Sequence, residues 1–170
     1  MEVTEWDIWL CRHREHRDSK APTDMTVPAR TVVGVDGSDN STRALAWAAA
    51  LVEGTDGEIV AVHALGLLTH LEDGSVVPSM GQRDQVVTLL EQQWCRPLIE
   101  ASVAHRCVVV DGDPVTALLR TAREEEADLL VVGCRGTGGH PGLVLGSTSQ
   151  QVVSQADRPV VVVPFQAPGP

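Results

Sequence analysis

Short runs of β-branched and aliphatic residues recur along this chain, and each but the last is followed by a stretch whose apolar residues have helical spacing. The first run is Thr31-Val32-Val33-Gly34-Val35-Asp36, and Gly37-Ser38 signals the turn that ends it. Leu45, Ala48, Ala49 and Val52 then recur at i, i+3, i+4 and i+7, one face of a helix that Asn40 or Ser41 is expected to cap. A second strand is expected over residues 58–64, centred on Ile59-Val60-Ala61-Val62. Residues 66–81 show no period and are expected to form a loop. A longer helix is expected over residues 82–101, with Val86, Leu89, Leu90 and Trp94 on one side. Pro97 should kink or end it, because proline has no N–H for the carbonyl four residues back.

The third strand is expected at residues 106–111. Gly112-Asp113-Pro114 then opens a helix capped by Asp113, with Val115, Leu118, Leu119 and Ala122 as its buried stripe. A fourth strand at 128–133, a helix at 147–156 and a last strand at Pro159-Val160-Val161-Val162-Val163 complete the series. This alternation predicts an α/β fold, an open five-stranded, mainly parallel sheet with helices on both faces, of Rossmann-like or flavodoxin-like type. The composition agrees. With no Tyr, one Phe and four Trp, the core must be built from Val, Leu and Ala, which suits strands buried on both faces.

Residues 1–30 are different: Trp6, Trp9 and Leu10 lie close together, then comes a polar run to Lys20, then Pro22 and Pro28. No period emerges, so this segment is expected to be a poorly ordered tail, residues 31–165 the folded domain, and 166–170 a short C-terminal tail. Met25, directly before the first strand, is an alternative start of translation. The net charge of −10 falls almost wholly after residue 30. An acidic body argues against nucleic acid or an anionic membrane as partner. No run is long and apolar enough for a transmembrane helix, and the N-terminus lacks a secretory pattern. Cys11, Cys95, Cys107 and Cys134 show no repeated spacing and read as reduced thiols, which points to a cytoplasmic protein. Cys11, His13 and His16 lack a fourth ligand and a rigid frame, so no metal site is assigned.

The chemistry concentrates after the fourth apolar run. Gly133-Cys134-Arg135-Gly136 is followed by nine residues and then Gly146-Ser147-Thr148-Ser149 at the start of a helix. A glycine-rich loop between a buried strand and a helix N-terminus lets backbone N–H groups point at phosphate oxygens. Asp36 and this loop both lie at strand carboxyl ends, and they would face each other if strands 1 and 4 are neighbours. Structural readings stand beside the functional ones. The glycines also make a tight turn, Ser147 is equally a helix N-cap, Asp36 a cap of the first helix, and Arg135 a solvated loop charge. His63 is read as lying beside the sheet without a catalytic role, and Glu124-Glu125-Glu126 as a solvated face.

With these residues in view, the chain resembles the universal stress proteins from about Thr31 to Pro164. The resemblance rests on Val33-Gly34-Val35-Asp36-Gly37-Ser38, on Gly112-Asp113-Pro114, and on the ATP-binding pattern G-x2-G-x9-G-[ST] at Gly133, Gly136, Gly146 and Ser147. It implies ATP as ligand, with Mg2+ as its companion ion. It further implies that Val35 and Asp36 contact the nucleoside side, with Ala64, Val132 and Gly133 lining the adenosine pocket. Arg135, Gly136, Gly146, Ser147, Thr148 and Ser149 would surround the phosphates. A homodimer through the last strand, Pro159 to Val163, is also implied.

No lysine follows a G-x4-G frame, so there is no Walker A loop. Phosphoryl transfer wants a cationic clamp, a held Mg2+ and an oriented nucleophile, and Arg135 and Asp36 are too few for an efficient ATPase. No catalytic residue is assigned. The expectation is a nucleotide-dependent regulatory module of the stress response. The alternatives are a slow ATPase or adenylyl-transfer enzyme on the same scaffold, and a dimeric interaction protein without nucleotide.

Overall fold

A computed structural model of the chain describes residues 27–65, 80–136 and 145–164. Residues 1–26 of the tail expected at 1–30, the tail expected at 166–170, and residues 66–79 of the loop expected at 66–81 lie outside the described residues. The strands are β1 (Arg30–Gly34), β2 (Glu58–Leu65), β3 (His105–Asp111), β4 (Leu129–Gly133) and β5 (Val160–Val163). The helices are α1 (Asp39–Val52), α2 (Met80–Leu89), α3 (Arg96–Glu100), α4 (Pro114–Glu124) and α5 (Ser147–Gln155), and a π-turn (Leu90–Trp94) joins α2 to α3.

All strand pairs are parallel, in the order β3-β2-β1-β4-β5. The chain builds outward from β1 to β3, returns to the other side of β1 for β4, and ends on β5. The strand order therefore reverses between β1 and β4, where Val33 pairs with Val131. The α/β architecture read from the sequence is present.

Period-two alternation along the strands divides the core into two layers. Val33, Ile59, Ala61, Leu129 and Val131 face Leu45, Ala48, Ala49 and Val52 of α1, with Leu90, Cys95 and Leu98 beside them. Val32, Val60, Val62, Leu130 and Val132 face the α4 stripe Val115, Leu118, Leu119 and Ala122, with Val152 of α5. The stripes read for α1 and α4 are buried, as expected, whereas of the third, Val86, Leu89, Leu90 and Trp94, only Leu90 is fully buried.

The departures lie at helix ends and have local causes. Ser38, not Asn40 or Ser41, caps α1: its extended backbone (φ −76°, ψ 159°) holds its side chain to accept from the Ser41 N–H. Gly37, at φ +78°, turns the chain so that Ser38 arrives first, and Asn40 and Ser41 are already helical. Asp113 caps α4 as expected, accepting from the Thr116 N–H at 2.9 Å. The expected long helix begins earlier, since Met80 and Gly81 are helical, and it breaks before Pro97. At the break Cys95 N–H bonds to Leu90 O at 2.9 Å, five residues back. Pro97 then sits in the first turn of α3, where its missing N–H costs nothing.

Glu125 is more than a solvated charge. Its carboxylate accepts from Arg106, and its backbone carbonyl accepts from Arg30 at 2.6 Å. Glu58 receives both arginines as well, so the four side chains tie the amino-terminal edge of the sheet.

Leu45 is fully buried in the α1 layer. Replacing Leu45 by Ala should cost about 2–5 kcal/mol, read as a lowered urea midpoint with an unchanged m-value. A loss below about 1 kcal/mol would contradict this packing.

Candidate functional site at the strand-order reversal

Because β1 and β4 are parallel neighbours, the loops that leave their carboxyl ends rise from the same edge of the sheet. The first is Val35-Asp36-Gly37-Ser38. Val35 still bonds to the sheet, its N–H donating to Val62 O at 2.9 Å. Asp36 thus lies just beyond β1, which ends at Gly34 and not, as expected, at Asp36. Asp36 Oδ1 accepts from the Ser38 N–H at 3.0 Å and from the Ser38 hydroxyl at 2.6 Å. Its role at the helix start is to orient Ser38, which is itself the cap. The other carboxylate oxygen, Oδ2, faces Gly136, and any Cβ on Gly136 would collide with it.

The second loop begins at Gly133. A Cβ there would lie 2.8 Å from the backbone carbonyl of Asn40, so α1 and β4 approach closely only because this residue is glycine. Cys134 is buried, its N–H donating to Val163 O at 2.8 Å and its carbonyl accepting from the Gly146 N–H at 2.7 Å. That last bond folds the two ends of the glycine-rich loop together. The intervening residues 137–144 lie outside the described residues. Gly146 takes the N-cap position of α5 (φ −75°, ψ 163°), so Ser147 is the first helical residue and not the cap. The N–H groups of Ser147, Thr148 and Ser149 precede the first intrahelical donor, Gln150 N–H, which bonds to Gly146 O at 3.0 Å, and the helix dipole adds positive potential at that end.

The structure brings the two halves of the expected site together through Asp36 and Gly136, and through Gly146, whose Cβ position lies 3.3 Å from Arg135 Cα. Ala64 stands two residues beyond Val62, the partner of Gly34, and so lies level with Asp36 in the sheet. Ser147 is exposed and Thr148 half-buried. Two expected residues are turned elsewhere. The Ser149 hydroxyl is buried, 2.9 Å from both Cys134 O and Gly146 O, so it holds the loop closed. Val132 packs its side chain into the α4 layer beside Gly34, and its backbone lies within β4, paired with Val162.

Three further residues were not singled out as site residues. The Trp94 indole packs where a Gly37 Cβ would be, at 2.7 Å. It also lies 5.0 Å from the ring of His63, whose Nδ1 is 2.7 Å from Val35 O. Trp94 and His63 therefore prop the Asp36 loop from beneath. Asn40 Oδ1 is buried beside Gly133 and finds no hydrogen-bond donor among the described residues. The Asp36 carboxylate beside Gly136, with the glycines and helix N–H groups at the start of α5, forms a donor-acceptor set that fits a nucleoside phosphate. Among the described residues no group of His, Cys, Asp and Glu could by itself hold a metal ion, and no helix is long and apolar enough to cross a membrane.

An open parallel sheet whose order reverses between a carboxylate loop and a glycine-lined helix N-terminus defines a nucleotide-type α/β fold. The chain matches the universal stress protein family over residues 29–164 and belongs to that family. A universal stress protein of Mycobacterium tuberculosis is 35% identical over 149 residues, covering 85% of this chain and 48% of the relative. This chain thus spans about half the length of the mycobacterial relatives it matches. One from Thermus aquaticus is 31% identical over 134 residues, covering 78% of this chain and 96% of the relative. A crystal structure of a universal stress protein in complex with cAMP superposes with a TM-score of 0.62 at 27% identity, covering 81% of this chain and 98% of that one.

Gly133→Ala should force α1 away from β4 and destabilise the fold by about 1–3 kcal/mol, measured by chemical denaturation. An unchanged midpoint would show that the close approach at Asn40 is not required.

Proposed function

We propose that this chain binds ATP at the strand-order reversal and acts as a nucleotide-dependent regulatory module of the stress response in the cytoplasm. The observation that carries the reading is the meeting of Asp36 with Gly136 across the crevice, beside the N-terminus of α5. A superposable relative binds an adenine nucleotide, cAMP, which supports the ligand class.

In this reading Asp36, oriented by Ser38, accepts from ribose hydroxyls. Val35 and Ala64, with the backbone of Val132 and Gly133, border the adenosine. The N–H groups of Gly136, Gly146, Ser147, Thr148 and Ser149 and the Ser147 and Thr148 hydroxyls meet the phosphates, with Arg135 as a countercharge. Mg2+ accompanies the triphosphate and supplies charge neutralisation when bound. The protein's own residues bind and orient, and no residue is assigned to proton transfer.

ATP at about a hundred times its dissociation constant should raise stability by about 2.7 kcal/mol, read by thermal unfolding against ADP, AMP and cAMP. Gly136→Val should remove that shift, since its side chain collides with Asp36 and blocks backbone approach. Failure of every adenine nucleotide to shift the wild type would overturn the ligand class. An undiminished shift in the variant would overturn the phosphate loop.

The second part of the reading is a homodimer through β5. This strand ends the sheet, and Val160, Val161 and Val162 are each only part-buried. An apolar edge strand of this kind calls for a partner. Val161→Lys should convert the dimer to a monomer in sedimentation experiments, and a wild type that sediments as a monomer at micromolar concentration would sink the proposal.

A further inference from the structure

In the sequence Cys95 and Cys107 are two of four cysteines that show no repeated spacing and read as reduced thiols. The fold places their sulfurs 3.2 Å apart, sharing one S–H···S contact. Two features create this meeting. Cys107 lies on β3, the terminal strand of the sheet, with its side chain on the α1 face beside Val109. Cys95 closes the π-turn, its N–H bonded to Leu90 O. The turn holds one residue more than an α-helical turn, which rotates the following residue by roughly 100°. That rotation puts Cys95 in the core opposite Cys107. It also leaves the two thiols unequal, for Cys95 is completely buried while Cys107 is only part-buried.

We propose that Cys95 and Cys107 form a reversible oxidation site, in which a small hydroperoxide converts the thiol pair to a disulfide. Cys107 is the thiol that meets the oxidant, and Cys95 is the thiol that resolves it. The Cys107 thiolate attacks one peroxide oxygen, the O–O bond breaks, and the departing oxygen leaves as an alcohol, or as water from hydrogen peroxide, with a proton from solvent. Cys107 is then a sulfenic acid. The Cys95 sulfur attacks the Cys107 sulfur, the S–O bond breaks, and the hydroxyl leaves as water with the Cys95 proton. Two thiols and one hydroperoxide give one disulfide, one alcohol and one water. The two electrons pass from sulfur to the peroxide.

The electrostatics favour this division of labour. The Cys95 S–H stabilises a Cys107 thiolate and draws its pKa down, although burial and Glu91 oppose the shift. The same hydrogen bond, together with burial, holds the Cys95 proton on far above the ordinary thiol range. Closing the bond requires the sulfurs to approach to about 2.05 Å, a movement of roughly 1 Å. The product would join the π-turn covalently to the edge strand. Nothing in this chemistry depends on a bound nucleotide.

The test is titration of the full chain with hydrogen peroxide, followed by alkylation of the remaining thiols and peptide mapping. One equivalent should yield a Cys95–Cys107 crosslink, with loss of the mass of two hydrogens and full recovery on dithiothreitol. Cys95→Ala should instead let a dimedone-type probe trap Cys107 as its sulfenic acid. Cys107→Ser should leave Cys95 unoxidised under the same conditions. Free Cys95 and Cys107 in the wild type after excess peroxide would overturn the proposal, as would crosslinks that run to Cys11 or Cys134. Oxidation of Cys95 at an undiminished rate in Cys107→Ser would overturn the order of the two thiols. The wild-type mapping stands even if a variant fails to fold.

Discussion

The parallel ladder between β1 and β4 is the contact on which the rest of the structure depends. Its register, Val33 opposite Val131, brings the ends of two strands that lie far apart in the chain to the same edge of the sheet. Asp36 and Gly136 meet only because of that pairing, and α5 points its N-terminus at the same crevice only because β5 lies on the far side of β4. The two hydrophobic layers clamp the ladder from both faces, so the crevice is bordered by loops whose roots are rigid.

Close backbone approach is the second constraint, and it explains the placement of small residues better than flexibility does. Gly133 has no Cβ because the backbone of Asn40 occupies its place, and Gly37 has none because the Trp94 indole does. Gly37 also needs its positive φ, which delivers Ser38 to the start of α1. The Asp36 carboxylate is held by hydrogen bonds to Ser38 and faces Gly136, and the backbone on either side of it is braced by Trp94 against Gly37 and by His63 on Val35 O. Such preorganisation lowers the ordering cost of binding a polar ligand.

Much of this architecture was legible in the chain. The stripes of α1 and α4 stood out because a helix half-buried on a sheet must repeat its apolar residues every three to four positions. The cap of α4 was legible because Asp113-Pro114 combines two start signals in one place. The cap of α1 was not, since Ser38, Asn40 and Ser41 are all competent caps and only the turn at Gly37 selects among them. A kink or end was expected at Pro97, the visible local cause, but the helix breaks earlier, after Leu89. The actual π-turn arises where Leu90 and Cys95 both reach the core, a demand no local pattern records. Likewise, Ser149 looks like its neighbours in sequence, and only the folded loop turns its hydroxyl onto Cys134 O.

By itself the sequence determined the alternation of strands and helices, the two buried stripes and the glycine spacing of the loop. These follow from periodicity and backbone sterics, which act over a few residues. The strand order, the partner of each loop, the support of the Asp36 turn by Trp94 and the meeting of Cys95 with Cys107 were decided by tertiary structure alone. They join residues from separate elements, and the geometry that joins them exists only once the sheet has closed its ladders and each helix has chosen its face.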